Sequence, residues 1–145
     1  MTLMICLPDV NVWIALTSDR HVHHATARKW LEASNGLHLV FCRVTEMGFL
    51  RLLTNPHVME EDVLDAPAAW AVYDTWRGDG RVAFMPEPAG LSARWRQASS
   101  RIARSPNAWT DAYLAAFAEE VQATVVTFDR KFPHGQYKVE VLSPP

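Results

Sequence analysis

Cysteine is scarce in this chain. It occurs twice, as Cys6 and Cys42, each inside an apolar run that reads as a strand. That usage excludes a disulfide framework and fits buried, reduced thiols of a cytoplasmic protein. Net charge is also nearly absent, at −2 over 145 residues, so no global field draws the chain onto nucleic acid. Any such contact has to be local. Lysine is rare, with 3 Lys against 11 Arg. Either that bias serves bidentate phosphate recognition or it reflects a GC-rich genome. No long hydrophobic run exists. The N-terminal one is short, lacks a basic lead and ends in an acid, so neither a signal peptide nor a membrane span is expected. The glycines form no nucleotide-binding motif, and no repeat or low-complexity segment appears.

What remains is an ordinary globular mix, 49% hydrophobic and 21% charged, enough for one domain over residues 1–145 with its own core. The organising stretch is Leu3 to Ala15. Its first half, Leu3 to Leu7, suits a short buried strand, and Asn11 to Thr17 suits a helix. Asp9 then falls at the carboxyl end of a strand and just before a helix. That place is either a ligand crevice of an open α/β sheet or a simple helix cap.

Further along, strands are expected at Leu37 to Phe41, Val82 to Met85, Thr124 to Phe128 and Val139 to Leu142. Helices are expected at His21 to Ala33, from Thr45 as N-cap through Leu53, at Ala66 to Arg77, at Leu91 to Arg104 and after Asn107. His57 to Asp65 reads as an irregular acidic connection. His21, His23 and His24 diverge at a helix start without a ligand partner at metal spacing, so they read as a solvated entrance. In the Leu91 to Arg104 helix, Leu91, Trp95, Ala98 and Ile102 form the core stripe. Arg94, Arg101 and Arg104 line another face, which is either plain solvated surface or a contact for RNA phosphate. Alternating strands and helices predict a three-layer α/β/α sandwich on a mainly parallel sheet of about five strands.

On that frame four acids reach one rim. Asp9 and Asp129 each follow a strand, while Glu46 and Asp111 occupy first turns of helices whose N-termini lie at the same edge. Each alone could be a cap or a dipole partner. Together they repel unless a cation sits between them, and oxygen-only ligands suit Mg²⁺ or Mn²⁺. Such an ion can activate water against a phosphodiester. Asn11, Thr110 and Thr127 are candidates to hold ligands or water from behind, beside their simpler roles in capping and packing.

Four segments carry a resemblance: ProAspValAsnValTrp from Pro8, ThrGluMetGlyPheLeuArgLeuLeuThr from Thr45, TrpThrAspAlaTyrLeuAlaAla from Trp109, and ThrPheAspArgLysPhe from Thr127. In this order they span nearly the whole chain. They resemble the PIN-domain family, and within it the VapC-type toxins of bacterial toxin–antitoxin modules. The resemblance implies a metal-dependent endoribonuclease with the acidic quartet Asp9, Glu46, Asp111 and Asp129. Asn11 matches the polar position after the first acid and Thr127 the one before the last. Lys131 stands where a glycine is often found, which alters loop charge and not the metal set. The resemblance also implies a homodimer and a cognate antitoxin whose basic tail reaches the acidic site. Cleavage in loops of tRNA or ribosomal RNA would fit the family.

Two other readings stand beside it. A haloacid-dehalogenase-like phosphatase also begins with an Asp after a strand, but needs a second Asp where Asn11 stands. A non-catalytic domain that binds RNA or a protein would leave the acids idle.

Overall fold

β1 (Met4–Pro8) lies at the centre of the sheet because both its faces are apolar and both are covered. The computed structural model describes residues 4–33, 35–102 and 104–144; Leu3, where the first strand was expected to begin, lies outside them. α1 (Val10–Thr17) follows at once, capped by Asp9, whose Oδ1 accepts from the Val10 N–H at 2.7 Å. α2 (His24–Ala33) leads to β2 (Leu37–Phe41), α3 (Arg43–Leu53) and a single turn, α4 (Pro56–Met59). α5 (Ala66–Arg77), β3 (Val82–Phe84), α6 (Leu91–Ala98), α7 (Ala108–Val121), β4 (Thr124–Thr127) and β5 (Lys138–Val141) complete the order.

The sheet has five strands in the order β3-β2-β1-β4-β5, and every neighbouring pair is parallel. Strand alternation divides the core. Cys6, Leu39, Phe41 and Val126 face one layer with α1, α2, α3 and α5. Leu7, Val40 and Val125 face the other, against α7 and Leu91 of α6. This is the α/β/α sandwich the alternating pattern predicts. Burial pushes the Cys6 thiol up to about 12 and raises Cys42, as expected of inert packing residues. Among the described residues no helix is long and apolar enough to cross a membrane.

Several boundaries differ from the pattern, each for a local reason. α3 starts at Arg43, so Cys42 is the N-cap and Thr45 sits at the third helical position. The Thr45 hydroxyl accepts from the Cys42 N–H at 3.0 Å and donates to the Cys42 carbonyl at 3.1 Å, a side-chain cap made from inside the helix. α2 begins at His24 because residues 18–23 turn: the His24 ring bonds the Ala15 carbonyl at 2.7 Å, and His23 stacks on Phe128. Those histidines pack on the fold and do not stand in solvent. The acidic connection after Asn55 is partly helical, with α4 opened by an Asn55 cap and followed by a 3₁₀ turn at Glu60–Asp62.

The largest correction concerns α6. It ends at Ala98, and the Ser99 and Ser100 hydroxyls donate back to the Trp95 and Gln97 carbonyls at 2.7 and 2.8 Å. Such bonds compete with helix continuation. Only Leu91 of the expected stripe is buried, and Ala98 is exposed. Arg101 and Arg104 therefore lie beyond the helix, and the three arginines share no helical face. Arg94 ion-pairs with Glu119 at 3.0 Å and with Glu120, so it braces α6 against α7.

Candidate active site

The strand order turns back at β1: β2 and β3 lie on one side, β4 and β5 on the other. Parallel sheets open a crevice at the carboxyl ends of the two strands flanking such a point. Here those strands are β1 and β4, and the residues leaving them are Asp9 and Asp129. The third wall comes from the first turn of α7, which carries Thr110 and Asp111. The crevice holds about 550 Å³ and is lined by Asp9, Asn11, Asp111 and Asp129, with Thr110 and Asn107 at its α7 side. A hollow of about 670 Å³ lies by Met4, Ala123 and Lys138, at the opposite strand ends, and no carboxylate lines it.

The three aspartates differ in their support. Asp9 is the most enclosed. Its Oδ2 accepts from the Thr127 hydroxyl at 3.1 Å. Burial raises its pKa and the Asp129 charge adds to that, while the bonds from Val10 and Thr127 oppose them. Asp129 sits in a turn: its N–H donates to Thr127 Oγ1 at 3.1 Å, and its Oδ1 accepts from the Lys131 N–H at 2.8 Å. That bond uses the backbone of residue 131, so lysine serves there as well as glycine. Asp111 has no hydrogen-bond donor on its carboxylate among the described residues. Burial, then the charges of Asp9 and Asp129, push it up to about 6.

Glu46 is placed differently. It lies in the first turn of α3, at the expected edge, but only 6% of it is exposed and it does not line the crevice. Its carboxylate pairs with the Arg43 guanidinium, which lies over the Phe84 ring at 4.7 Å. Tyr73 lies near it: burial first, and then the Glu46 carboxylate, push the phenol up to about 12. Helical geometry explains the difference. Val44, Met47, Gly48 and Arg51 share the crevice face of α3, whereas Thr45, Glu46, Phe49 and Leu53 turn inward. The structure thus gathers Asp9, Asp111 and Asp129 in one crevice and holds Glu46 apart.

Sequence reasoning missed the α3 side of the crevice, where Arg51 and Gly48 matter most. Arg51 brings a cation to the acidic wall and has no ion-pair partner among the described residues. Gly48 lets α3 approach α1: an added Cβ would meet Val10 Cγ2 at 2.7 Å. The available signal was the spacing 44, 47, 48 and 51, masked by the apolar residues read as a core helix.

Among the described residues no three His, Cys, Asp or Glu side chains are already drawn close enough to share one ion. The donor chemistry nevertheless fits a hard divalent cation. All three crevice acids offer oxygen, and Mg²⁺ commonly binds through one or two carboxylates while keeping several waters. A half-buried Asp111 without a donor is the group such an ion would relieve.

The PIN domain family model matches residues 6–136 of this chain. The chain belongs to the PIN-domain family. Within it the chain groups with the VapC ribonucleases. It is 40% identical to Ribonuclease VapC41 of Mycobacterium tuberculosis, over 97% of this chain and 99% of that protein. Ribonuclease VapC38 of the same species is 31% identical, over 86% of this chain and 85% of that one. Among solved structures, M. tuberculosis VapC20, described as a sarcin-ricin loop cleaving toxin, superposes with a TM-score of 0.68 at 17% identity. That match covers 88% of this chain and 92% of VapC20. VapBC2 of Rickettsia felis, solved with a promoter DNA fragment, gives 0.65 at 12% identity, over 97% of this chain and all of that one. At these identities the structural likeness speaks for the PIN fold alone.

Proposed function

We propose that this PIN domain is a metal-dependent endoribonuclease, the toxin of a toxin–antitoxin pair, acting on unpaired loops of structured RNA. One observation carries the reading: three aspartates, from the ends of β1 and β4 and the first turn of α7, line the crevice where the strand order reverses. Asp9, Asp111 and Asp129 would hold Mg²⁺ or Mn²⁺. The bound ion supplies charge neutralisation among the carboxylates and a water acidified for attack on phosphorus. The chain's own groups do the rest. Thr127 fixes the direction of Asp9 from behind, and the Asp129 turn fixes the other rim. Asn11 and Thr110 offer amide and hydroxyl groups to water or phosphate at the crevice wall. Arg51 gives a cation for the RNA backbone.

Glu46, which the family resemblance assigns to the same acidic set, is paired with Arg43 at the buried side of α3, and would join the ion only by leaving that partner. The remaining assignments follow the family: a homodimer in the cytoplasm, restrained by an antitoxin that inserts a basic side chain among the acids. Arg pairs two carboxylate oxygens at once, which suits it to that insertion.

The test is cleavage of structured RNA by purified protein in Mg²⁺, in Mn²⁺ and in EDTA. Cuts in unpaired loops that vanish with EDTA and with Asp111→Asn support the reading. Binding of RNA without cleavage in either metal would make this a non-catalytic domain.

A further inference from the structure

A second hollow reaches the turn of α7 that carries Asp111. It lies between α6 and the first turn of α7, holds about 530 Å³, and is lined by Trp95, Trp109, Arg96, Ser92, Ser99 and Ser100. Trp109 directly precedes Thr110 and Asp111 in α7, so one helical turn contributes to both the hollow and the acid crevice, from different sides.

Trp109 is 57% exposed, an unusual state for an indole with no role at a surface. Its position is nonetheless fixed. The Trp95 indole N–H donates to the Trp109 carbonyl at 3.1 Å, and the two rings meet edge to face at 6.3 Å. Trp95 in turn meets Tyr113 edge to face at 5.5 Å. Tyr113 is buried and donates to Glu87 at 2.8 Å. An exposed indole is thus held on a ladder of rings rooted in the core.

The charges differ across α6. Arg94 is tied to Glu119 and Glu120, whereas Arg96 has no ion-pair partner among the described residues and lines the hollow. The serines add hydroxyl oxygens with free acceptor capacity. Rigid indoles, an available guanidinium and hydroxyls are what an unpaired nucleotide needs: a stacking face for its base, a cation for its phosphate and partners for its edge. An apolar helix or a second copy of this chain would not call for that polar lining.

We propose that this hollow is a stacking subsite for an unpaired RNA base flanking the bond presented to the crevice. It rests on the ribonuclease reading above, and it names the feature of the substrate that the domain recognises beyond its phosphates.

The test is equilibrium binding in EDTA of an unpaired RNA of about ten nucleotides, alongside the same sequence as a duplex. Trp109→Ala should weaken binding of the unpaired strand about 5- to 100-fold. Trp109→Phe should retain most of the affinity, and the duplex should not discriminate. Trp109→Ala should melt like wild type, because the side chain is largely exposed. Arg96→Gln should lower the slope of log affinity against log salt by about one. Unchanged affinity of Trp109→Ala for the unpaired strand, beside wild-type cleavage in Mg²⁺ or Mn²⁺, overturns the subsite alone. So does unchanged affinity with a change of oligomeric mass, which makes Trp109 a contact between copies. A wild type that neither binds nor cuts RNA overturns the ribonuclease reading, and the subsite with it.

Discussion

Thr127 and Asp9 are 118 residues apart in sequence, and the Thr127 hydroxyl donates to Asp9 Oδ2 at 3.1 Å. Thr127 Oγ1 also accepts from the Asp129 N–H at 3.1 Å, so one fully buried hydroxyl ties both rims of the crevice together. Thr127→Val keeps the shape and removes both bonds. A hydrogen bond to a charged group is worth about 1.5–3 kcal/mol, so the variant should lose several degrees of melting temperature. Its RNA cleavage should fall as Asp9 loses its orientation. Thr127→Ser, which restores the hydroxyl, should recover both. Melting and cleavage assays on the pair check this, and a Val variant as active as wild type would remove Thr127 from the site.

Asp111 links the crevice to stability through pH. Its folded pKa, about 6, stands above the ordinary aspartate value. A raised acid contributes stability below its unfolded pKa and loses that contribution as pH rises through the folded one. Metal-free protein should therefore become less stable between about pH 4 and pH 6. Asp111→Asn should remove that loss, gaining about 1 kcal/mol at neutral pH after allowance for solvent screening. Mg²⁺ should stabilise the wild type and do so much less in the variant, since ligand binds only the folded state. Thermal melts in EDTA and in millimolar Mg²⁺ across this range decide it. Equal metal shifts in both proteins would mean that Asp111 does not hold the ion.

Glu46 should behave unlike Asp111. Its carboxylate is engaged by Arg43. Glu46→Gln should keep most of the Mg²⁺-dependent rise in melting temperature that Asp111→Asn loses. Glu46→Ala should instead cost about 1–3 kcal/mol with or without metal, because a buried side chain is removed and Arg43 loses its partner. If Glu46→Gln abolished the metal response, the carboxylate would have to leave Arg43 for the ion.

The arginines separate in the same way. Arg51 lines the crevice, while Arg94 is occupied by Glu119 and Glu120. Arg51→Ala should weaken RNA binding and reduce its salt slope by about one, the loss of one phosphate contact. Arg94→Ala should leave both unchanged. Filter binding across a salt series measures the difference, and a steeper loss in Arg94→Ala would return that residue to the RNA surface.

Much of this was legible in the chain itself. LeuMetIleCysLeuPro followed by Asp9 specifies a short buried strand ending in an acid, because an apolar run has nowhere stable but the core. The same reasoning placed ThrValValThr before Asp129 and put Asp111 in the first turn after Asn107. Once strands and helices alternate, parallel pairing and right-handed crossovers bring those three acids to one edge without further information.

Tertiary structure decided what each side chain does on arrival. Glu46 and Met47 are neighbours in sequence, yet a helix turns 100° between them, so one pairs with Arg43 while the other faces the crevice. How closely α3 approaches α1 depends on Gly48 admitting Val10, a contact between distant segments. Arg94 looked free in its helix because Glu119 and Glu120 lie on another one. The pattern after Ala98 stayed helical in period, yet the helix ends there, with the Ser99 and Ser100 hydroxyls bonded to carbonyls of its last turn. Local sequence determined the elements and the acids at their ends, because burial and periodicity act on neighbours. Only the assembled fold decided the partners, because charge pairing and close approach act across space.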